Sequence, residues 1–454
     1  MALEILKSIG VRLFNIEPIA VEDVFTPAVA AKVNYVNRPM LEKTIMEELR
    51  TAGKQILLFG HSGCGKTTII RTVLQQLNRR PIRTHCEEAT TFDDIILNGF
   101  DSLDKYVPNE KTENNRQGIT SNLSLEIRYI KSQMTASSES STGVKYARII
   151  PPQLTPQRLA EMIGESEAVW VIEDFHKVGF SEKKRIADLL KFFCDNANDY
   201  PLSKIICIGA CESANELVAL EPNLKERVSE IHVDLLSDSN IKSIVINGFK
   251  LLNIKASDKL VEQIVFYSAR LGALAHQMCL DICRGVGVQQ RVWKTKNLDS
   301  KAFNYAIDGF IKKHKGTLTT IYESAVKEEI GWYVLKTLSS NKQDKLQLRE
   351  ICRIVNLSKR RFTNEEIEEK LTELSTPQYG VVFCNSQTGN YSIASPFWRS
   401  FLRMQFALEA SKKNNRRPHI EFRDQNDREA IVENIMLELL KEYEQLYKSK
   451  KKND

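Results

Sequence analysis

Residues 55–77 read QILLFGHSGCGKTTIIRTVLQQL. A short run rich in leucine and isoleucine enters a glycine-bearing loop, and the loop enters a segment whose apolar residues recur at helical spacing. The loop itself is Gly60-His61-Ser62-Gly63-Cys64-Gly65-Lys66-Thr67. Its glycines let the backbone curl so that successive N–H groups face one centre, and a helix opening there adds the positive end of its dipole. Such a loop predicts a phosphate site in which Lys66 reaches the β- and γ-oxygens and the Thr67 hydroxyl coordinates magnesium, with Thr68 beside them.

A phosphate loop of this kind needs an acidic partner that holds magnesium through water and polarises the attacking water. The stretch AVWVIEDFHK, residues 168–177, supplies one, because an apolar strand-like run ends there in Glu173 and Asp174. Two registers are open. In the first, Glu173 takes the magnesium position and Asp174 acts as catalytic base; in the second, Asp174 serves magnesium and the base lies elsewhere.

Around these two features, QILLF, PIRTHCE, AVWVIED, KIICIGA and EIHVDLL read as strands that alternate with helical patterns from Val33 to about Leu235. That order predicts an α/β core with a parallel sheet. A polar stretch at about 101–152 holds too few apolar residues for a core of its own and reads as an insertion. Residues 1–32 read as a leader that packs on the domain after it, and 236–329 as helices only, with Ser237 and Ser257 as N-caps. Residues 330–405 give three helices and then two β-like pieces joined by Gln387-Thr388-Gly389, the order of a winged helix. Residues 406–454 form a basic C-terminal helix and tail, with Lys412, Lys413, Arg416 and Arg417 ahead of a KSKKK run.

Composition excludes some classes and leaves others open. With 42% hydrophobic and 27% charged residues, and no apolar run near the roughly 20 residues that cross a bilayer, a cytoplasmic protein without membrane contact is expected. The first residues lack a continuous apolar run, so no export is expected either. Among the nine cysteines, Cys207/Cys211 and Cys279/Cys283 are spaced for one helical face and lack zinc-knuckle spacing, which predicts buried thiols. A net charge of +6 permits nucleic-acid contact without arguing for it.

Taken together, these residues resemble the AAA+ and STAND branch of P-loop ATPases, and within it the Orc/Cdc6-like ATPases that carry a helical lid and a C-terminal winged helix. The resemblance spans about residues 33–405. It implies a P-loop NTPase parallel-sheet core, an α-helical lid and a winged-helix (α+β) domain, with ATP and Mg2+ bound and ATP hydrolysed to ADP and phosphate. Tyr35-Val36-Asn37-Arg38 resembles the family element that packs near adenine, making Asn37 and Arg38 site candidates; ordinary surface side chains are the other reading. Arg227 falls where the family places an arginine finger for a neighbour's γ-phosphate, the other reading being an arginine paired with Glu226 or Glu230. A polar sensor residue is implied at the end of KIICIGACES, where this chain has Ala210 and Cys211, then Glu212 and Ser213. In the lid, Arg270 precedes Gly272, Ala273 stands where proline is usual, and His276 either touches nucleotide or is a satisfied buried histidine.

The candidate third helix of the winged helix, TNEEIEEKLTEL, carries Glu365, Glu366, Glu368, Glu369 and Glu373 against one lysine, which repels phosphate. Lys359, Arg360 and Arg361, with the later basic cluster, offer DNA contact through the flanks. Three functions follow as expectations. One is an ATP-driven switch or assembly factor, a homo-oligomer acting through a protein partner or separate effector chain, by analogy in a prokaryotic defence or mobile-element system. A second is an initiator- or loader-type ATPase assembling on duplex DNA, and a third is a weakly hydrolysing nucleotide-binding scaffold.

Overall fold

A computed structural model describes residues 19–31, 33–103, 106–110, 145–148, 155–210, 224–314, 316–357 and 361–413. They fall into two compact units, one built from residues 37–234 and the other from residues up to Val36 together with those from Leu235 onward. Most of the polar insertion lies outside the described residues, as do residues 1–18 of the leader and the KSKKK run.

In the 37–234 unit the strands are β1 (Gln55–Phe59), β2 (Pro81–His85), β3 (Tyr106–Glu110), β4 (Lys145–Arg148), β5 (Val169–Glu173), β6 (Lys204–Gly209) and β7 (Val228–His232). Five of them form one sheet in the order β2-β5-β6-β1-β7, every neighbouring pair parallel. The expected core is therefore present. Its central strands are covered on both faces and read as unbroken apolar runs, whereas the edge strand β2 alternates buried and exposed positions. Trp170 fills one face against Phe193, and its indole N–H finds Thr84 Oγ1 at 3.0 Å, so the largest buried side chain leaves no polar atom unpaired. β3 and β4 pair with each other where the insertion leaves and rejoins the core, a hairpin-like pair hidden in the sequence by the polar stretch between them.

The second unit is mainly helical, with helices Asp238–Leu251, Asp258–Tyr267, Gly272–Gly285, Phe303–Lys313 and Thr317–Ala325. Ser237 and Ser257 cap the first two, each hydroxyl accepting from the N–H three residues on, as their type and place predict. The expectation of helices alone is corrected by β8 (Ile254–Ala256) and β9 (Lys296–Leu298), a parallel pair too short to show periodicity. Helices Phe303–Lys313 and Thr317–Ala325 are separate, the second starting after Gly316. Beyond it come helix Glu329–Ser340, β10 (Leu346–Gln347), helices Leu348–Val355 and Asn364–Leu374, β11 (Val382–Asn385) and β12 (Asn390–Ile393), then helix Pro396–Lys413. β10, β12 and β11 make a three-stranded antiparallel sheet, consistent with the winged-helix order.

The described residues of the leader belong to the second unit: Phe25 meets Phe249 edge-on at 5.5 Å, Asn34 Nδ2 donates to Ile244 O at 2.9 Å, and Val21 N donates to Gln289 O at 2.9 Å. Gly248 makes room for this, since a Cβ there would lie 2.3 Å from the Phe25 ring. Among the described residues no helix is long and apolar enough to cross a membrane.

Candidate functional site

The loop begins where β1 ends. Gly60 takes φ +153°, and a Cβ on it would lie 2.5 Å from Val233 O, so only glycine lets the chain pass this backbone. Gly63 and Gly65 take φ +77° and +99°, conformations that glycine adopts without steric cost. Helix Lys66–Gln76 opens directly on Gly65 with no side-chain cap and no acid in its first turn. Its leading N–H groups thus have neither a capping oxygen nor a nearby carboxylate, which is the arrangement an anion fits. Lys66 Nζ donates to Gly60 O at 2.7 Å and His61 O at 2.9 Å, so the loop curls around its own ammonium. Replacing Gly60 by alanine is expected to destabilise the unit by about 2–5 kcal/mol, from backbone strain plus overpacking, read as a shift in a urea melt.

Cys64 lies inside this loop and is buried, and burial pushes its thiol above the ordinary range against the pull of Lys66. Reaction with a thiol reagent is therefore a poor probe of the loop, contrary to what its sequence position invites. His61 is half-buried, and burial, followed by the charges of His232 and Lys66, lowers its pKa. Ser62 and Gly63 are exposed, and Thr67 and Thr68 are half-buried in the first turn of the helix. Arg38 stands near the loop, its charge reaching Cys64, and its Nη1 is enclosed without a hydrogen-bond partner. Asn37 is exposed.

Parallel register aligns the other half of the site. Phe59 pairs with Gly209 and Ile208 with Glu173, so β1, β6 and β5 end together. With β6 alone between β1 and β5, two strand spacings separate the loop from Glu173 by about 10 Å, room for a metal and its water. Glu173 accepts from Arg83 Nη1 at 2.8 Å and lies 3.7 Å from His85 Nδ1, and its side chain is only 13% exposed. Asp174 turns out of the strand at φ +59°, is 46% exposed, and pairs with Lys177 at 2.6 Å. Arg83 and His85 were invisible as site residues in the sequence, although their alternate positions on β2 put both on one face. No cluster of three or more His, Cys, Asp or Glu able to hold a metal occurs among the described residues. A magnesium ion here would need phosphate oxygens beside Thr67 and a carboxylate, which is how magnesium is commonly held.

Other candidates fall elsewhere. Arg227 pairs with Asp195, not with Glu226 or Glu230, and precedes β7. Because Val228 pairs with Gln55 at the start of β1, Arg227 sits at the opposite sheet edge, roughly 15 Å of strand from the loop. Ala210 follows the end of β6 and has no polar side chain, while Cys211, Glu212 and Ser213 lie outside the described residues. Arg270, at φ +63°, donates Nε–H to Leu236 O at 3.0 Å and meets Asp344 at 3.4 Å.

His276 is buried within the second unit. Its Nδ1 accepts from Thr26 N at 3.2 Å, Phe25 packs on its ring, and burial lowers its pKa to about 4. Unfolding exposes the ring and restores an ordinary pKa near 6.5, so the unfolded chain takes up the proton first. The second unit should therefore keep its full stability above pH 6.5 and lose up to about 3 kcal/mol as pH falls toward 4. Denaturant melts across that window measure it, and His276→Gln should flatten the profile.

Residues 56–235 match the model of the ATPase family associated with various cellular activities, AAA. A search of curated proteins gives no match. Among solved structures, a Walker-type ATPase of Pyrococcus abyssi is similar at 13% identity, covering 84% of this chain and 99% of its own, with a TM-score of 0.49. Cdc6p of Pyrobaculum aerophilum is similar at 14% identity, covering 87% and 99%, with a TM-score of 0.40. The Orc1 protein of Aeropyrum pernix, solved in complex with DNA, is similar at 13% identity, covering 86% and 98%, also at 0.40.

Proposed function

We propose that this chain binds and hydrolyses ATP with magnesium and uses the nucleotide state to act on a protein partner. The observation that carries the reading is the uncapped helix N-terminus behind Gly63 and Gly65, with Lys66 at its start and Glu173–Asp174 at the same sheet edge. Magnesium, when bound, supplies charge neutralisation between the phosphates. Lys66 exchanges its two loop carbonyls for phosphate oxygens, Thr67 and Glu173 hold the ion directly or through water, and Asp174 orients and deprotonates the attacking water. Arg38, with an enclosed and unpaired nitrogen, is proposed to line the nucleotide site, and Asn37 to stand at its rim. Arg227, accessible and held by one exposed aspartate, is proposed to leave Asp195 for the phosphate of a second copy.

A protein partner is favoured over duplex DNA by helix Asn364–Leu374. Its exposed face carries Glu365, Glu366, Glu368 and Glu369, while its one lysine, Lys370, is 5% exposed and bonded to Glu328 and Glu373. No cation remains on that face to meet phosphate. Arg361 is exposed beside it, whereas Lys359, Arg360, Arg416 and Arg417 lie outside the described residues. The deciding experiment measures mass and turnover together, with ATP or a non-hydrolysable analogue, with and without duplex. Turnover, nucleotide-dependent assembly and no retention on duplex at low salt are expected. Strong low-salt retention that fades as salt rises would favour the DNA-associated reading.

A further inference from the structure

The turn that follows the acid pair, Phe175–Lys177, holds a group to which the proposed reaction gives no role. Phe175 anchors the turn in the core, and Lys177 closes it by donating N–H to Asp174 O at 3.0 Å and pairing with the Asp174 carboxylate. Between them stands His176. Its Nδ1 is enclosed and has no hydrogen-bond partner. An enclosed N–H without an acceptor costs more than an enclosed lone pair without a donor, so the ring proton belongs on Nε2. With its proton on Nε2, the ring offers a donor on the side away from the enclosed nitrogen.

Its surroundings place that donor. The turn directly continues β5, whose end is level with those of β6 and β1, so the ring stands beside the acid pair at the same end of the sheet as the phosphate loop. β6 lies between β1 and β5, and neither its last residue, Gly209, nor Ala210 after it carries a side-chain donor. A terminal phosphate lying between loop and acid pair would find lysine charge on one side and carboxylates on the other. The neutral donor it lacks from β6 can come from the neighbouring turn.

We propose that His176 donates its Nε2–H to the terminal phosphate of a bound nucleoside triphosphate, and so is the residue by which this site tells triphosphate from diphosphate. The proposal rests on the nucleotide-binding reading above. It is tested by calorimetry with magnesium, using ADP and a non-hydrolysable ATP analogue, on the wild type, His176→Ala, His176→Gln and His176→Asn. One hydrogen bond to a charged acceptor predicts that His176→Ala loses about tenfold to a hundredfold in analogue affinity. ADP affinity should stay within about twofold, which also reports that the variant is folded. Glutamine places an amide near the Nε2 position and asparagine near Nδ1, so glutamine should restore most of the loss and asparagine little. Equal loss for both nucleotides, no loss for either, or no rescue by glutamine would overturn the proposal in favour of a packing role. If His176→Ala does not fold, the glutamine and asparagine variants carry the same comparison. Failure of the wild type to bind either nucleotide would instead overturn the nucleotide reading, and this inference with it.

Discussion

Replacement of Lys66 by alanine is expected to weaken magnesium–ATP binding by about two to four orders of magnitude in calorimetry. The ammonium is the one cation of the loop, and its present partners, Gly60 O and His61 O, are neutral carbonyls. Exchanging them for phosphate oxygens converts two neutral-acceptor bonds into bonds between full charges, each worth roughly 1.5–3 kcal/mol. Losing both gives the stated range. The same substitution also frees the two carbonyls, which lie in a half-exposed loop that water can reach, so the thermal midpoint without nucleotide should move little. An affinity for ATP within tenfold of wild type would remove the phosphate role of this loop.

The second large effect is on turnover. Asp174→Asn keeps the shape of the side chain and removes its basicity, and loss of a positioned base slows a reaction by about a hundredfold to ten-thousandfold. Nucleotide affinity should stay within a few-fold, because a half-exposed carboxylate beyond the strand end contributes little to ground-state binding. Glu173→Gln should behave differently. Its carboxylate is held by Arg83, so the neutral variant loosens that pair and raises the magnesium concentration needed for half-maximal turnover. If instead Glu173→Gln abolishes turnover at saturating magnesium while Asp174→Asn shifts the magnesium requirement, the roles of the two acids are reversed. Equally negligible rates in the wild type and both variants would point to the nucleotide-binding scaffold.

How much of this was legible depends on the range of the interaction involved. The phosphate loop and the β1, β5 and β6 strands could be read because their chemistry is local: glycines at special φ, an apolar run, an acid pair at its end. Pairing across the sheet could not. Arg83 and His85 lie in PIRTH, which looks like an ordinary edge strand until β2 is set beside β5 and both side chains meet Glu173. Arg227 was expected beside Glu226 or Glu230, its neighbours in sequence, yet pairs with Asp195, which the α/β crossover brings to the same sheet edge. β8, β9 and β10, of two or three residues each, are too short for any periodicity to develop. His276 shows the converse failure, since a sequence offers no way to distinguish a histidine that faces a ligand from one sealed by a leader 250 residues away.

The discontinuous second unit also sets a timetable for synthesis. Val21, Val24 and Phe25 are synthesised well before their partners, since Phe249, Gly248 and His276, against which Phe25 packs, emerge more than two hundred residues later. At about 5–20 residues per second, that interval is on the order of ten to forty seconds. Throughout it, the 37–234 unit can complete its own sheet while the leader's apolar side chains wait without their partners. A chaperone that shields short exposed apolar segments on nascent chains would have its substrate in these residues, and slowing translation between residues 37 and 234 should lengthen that dependence.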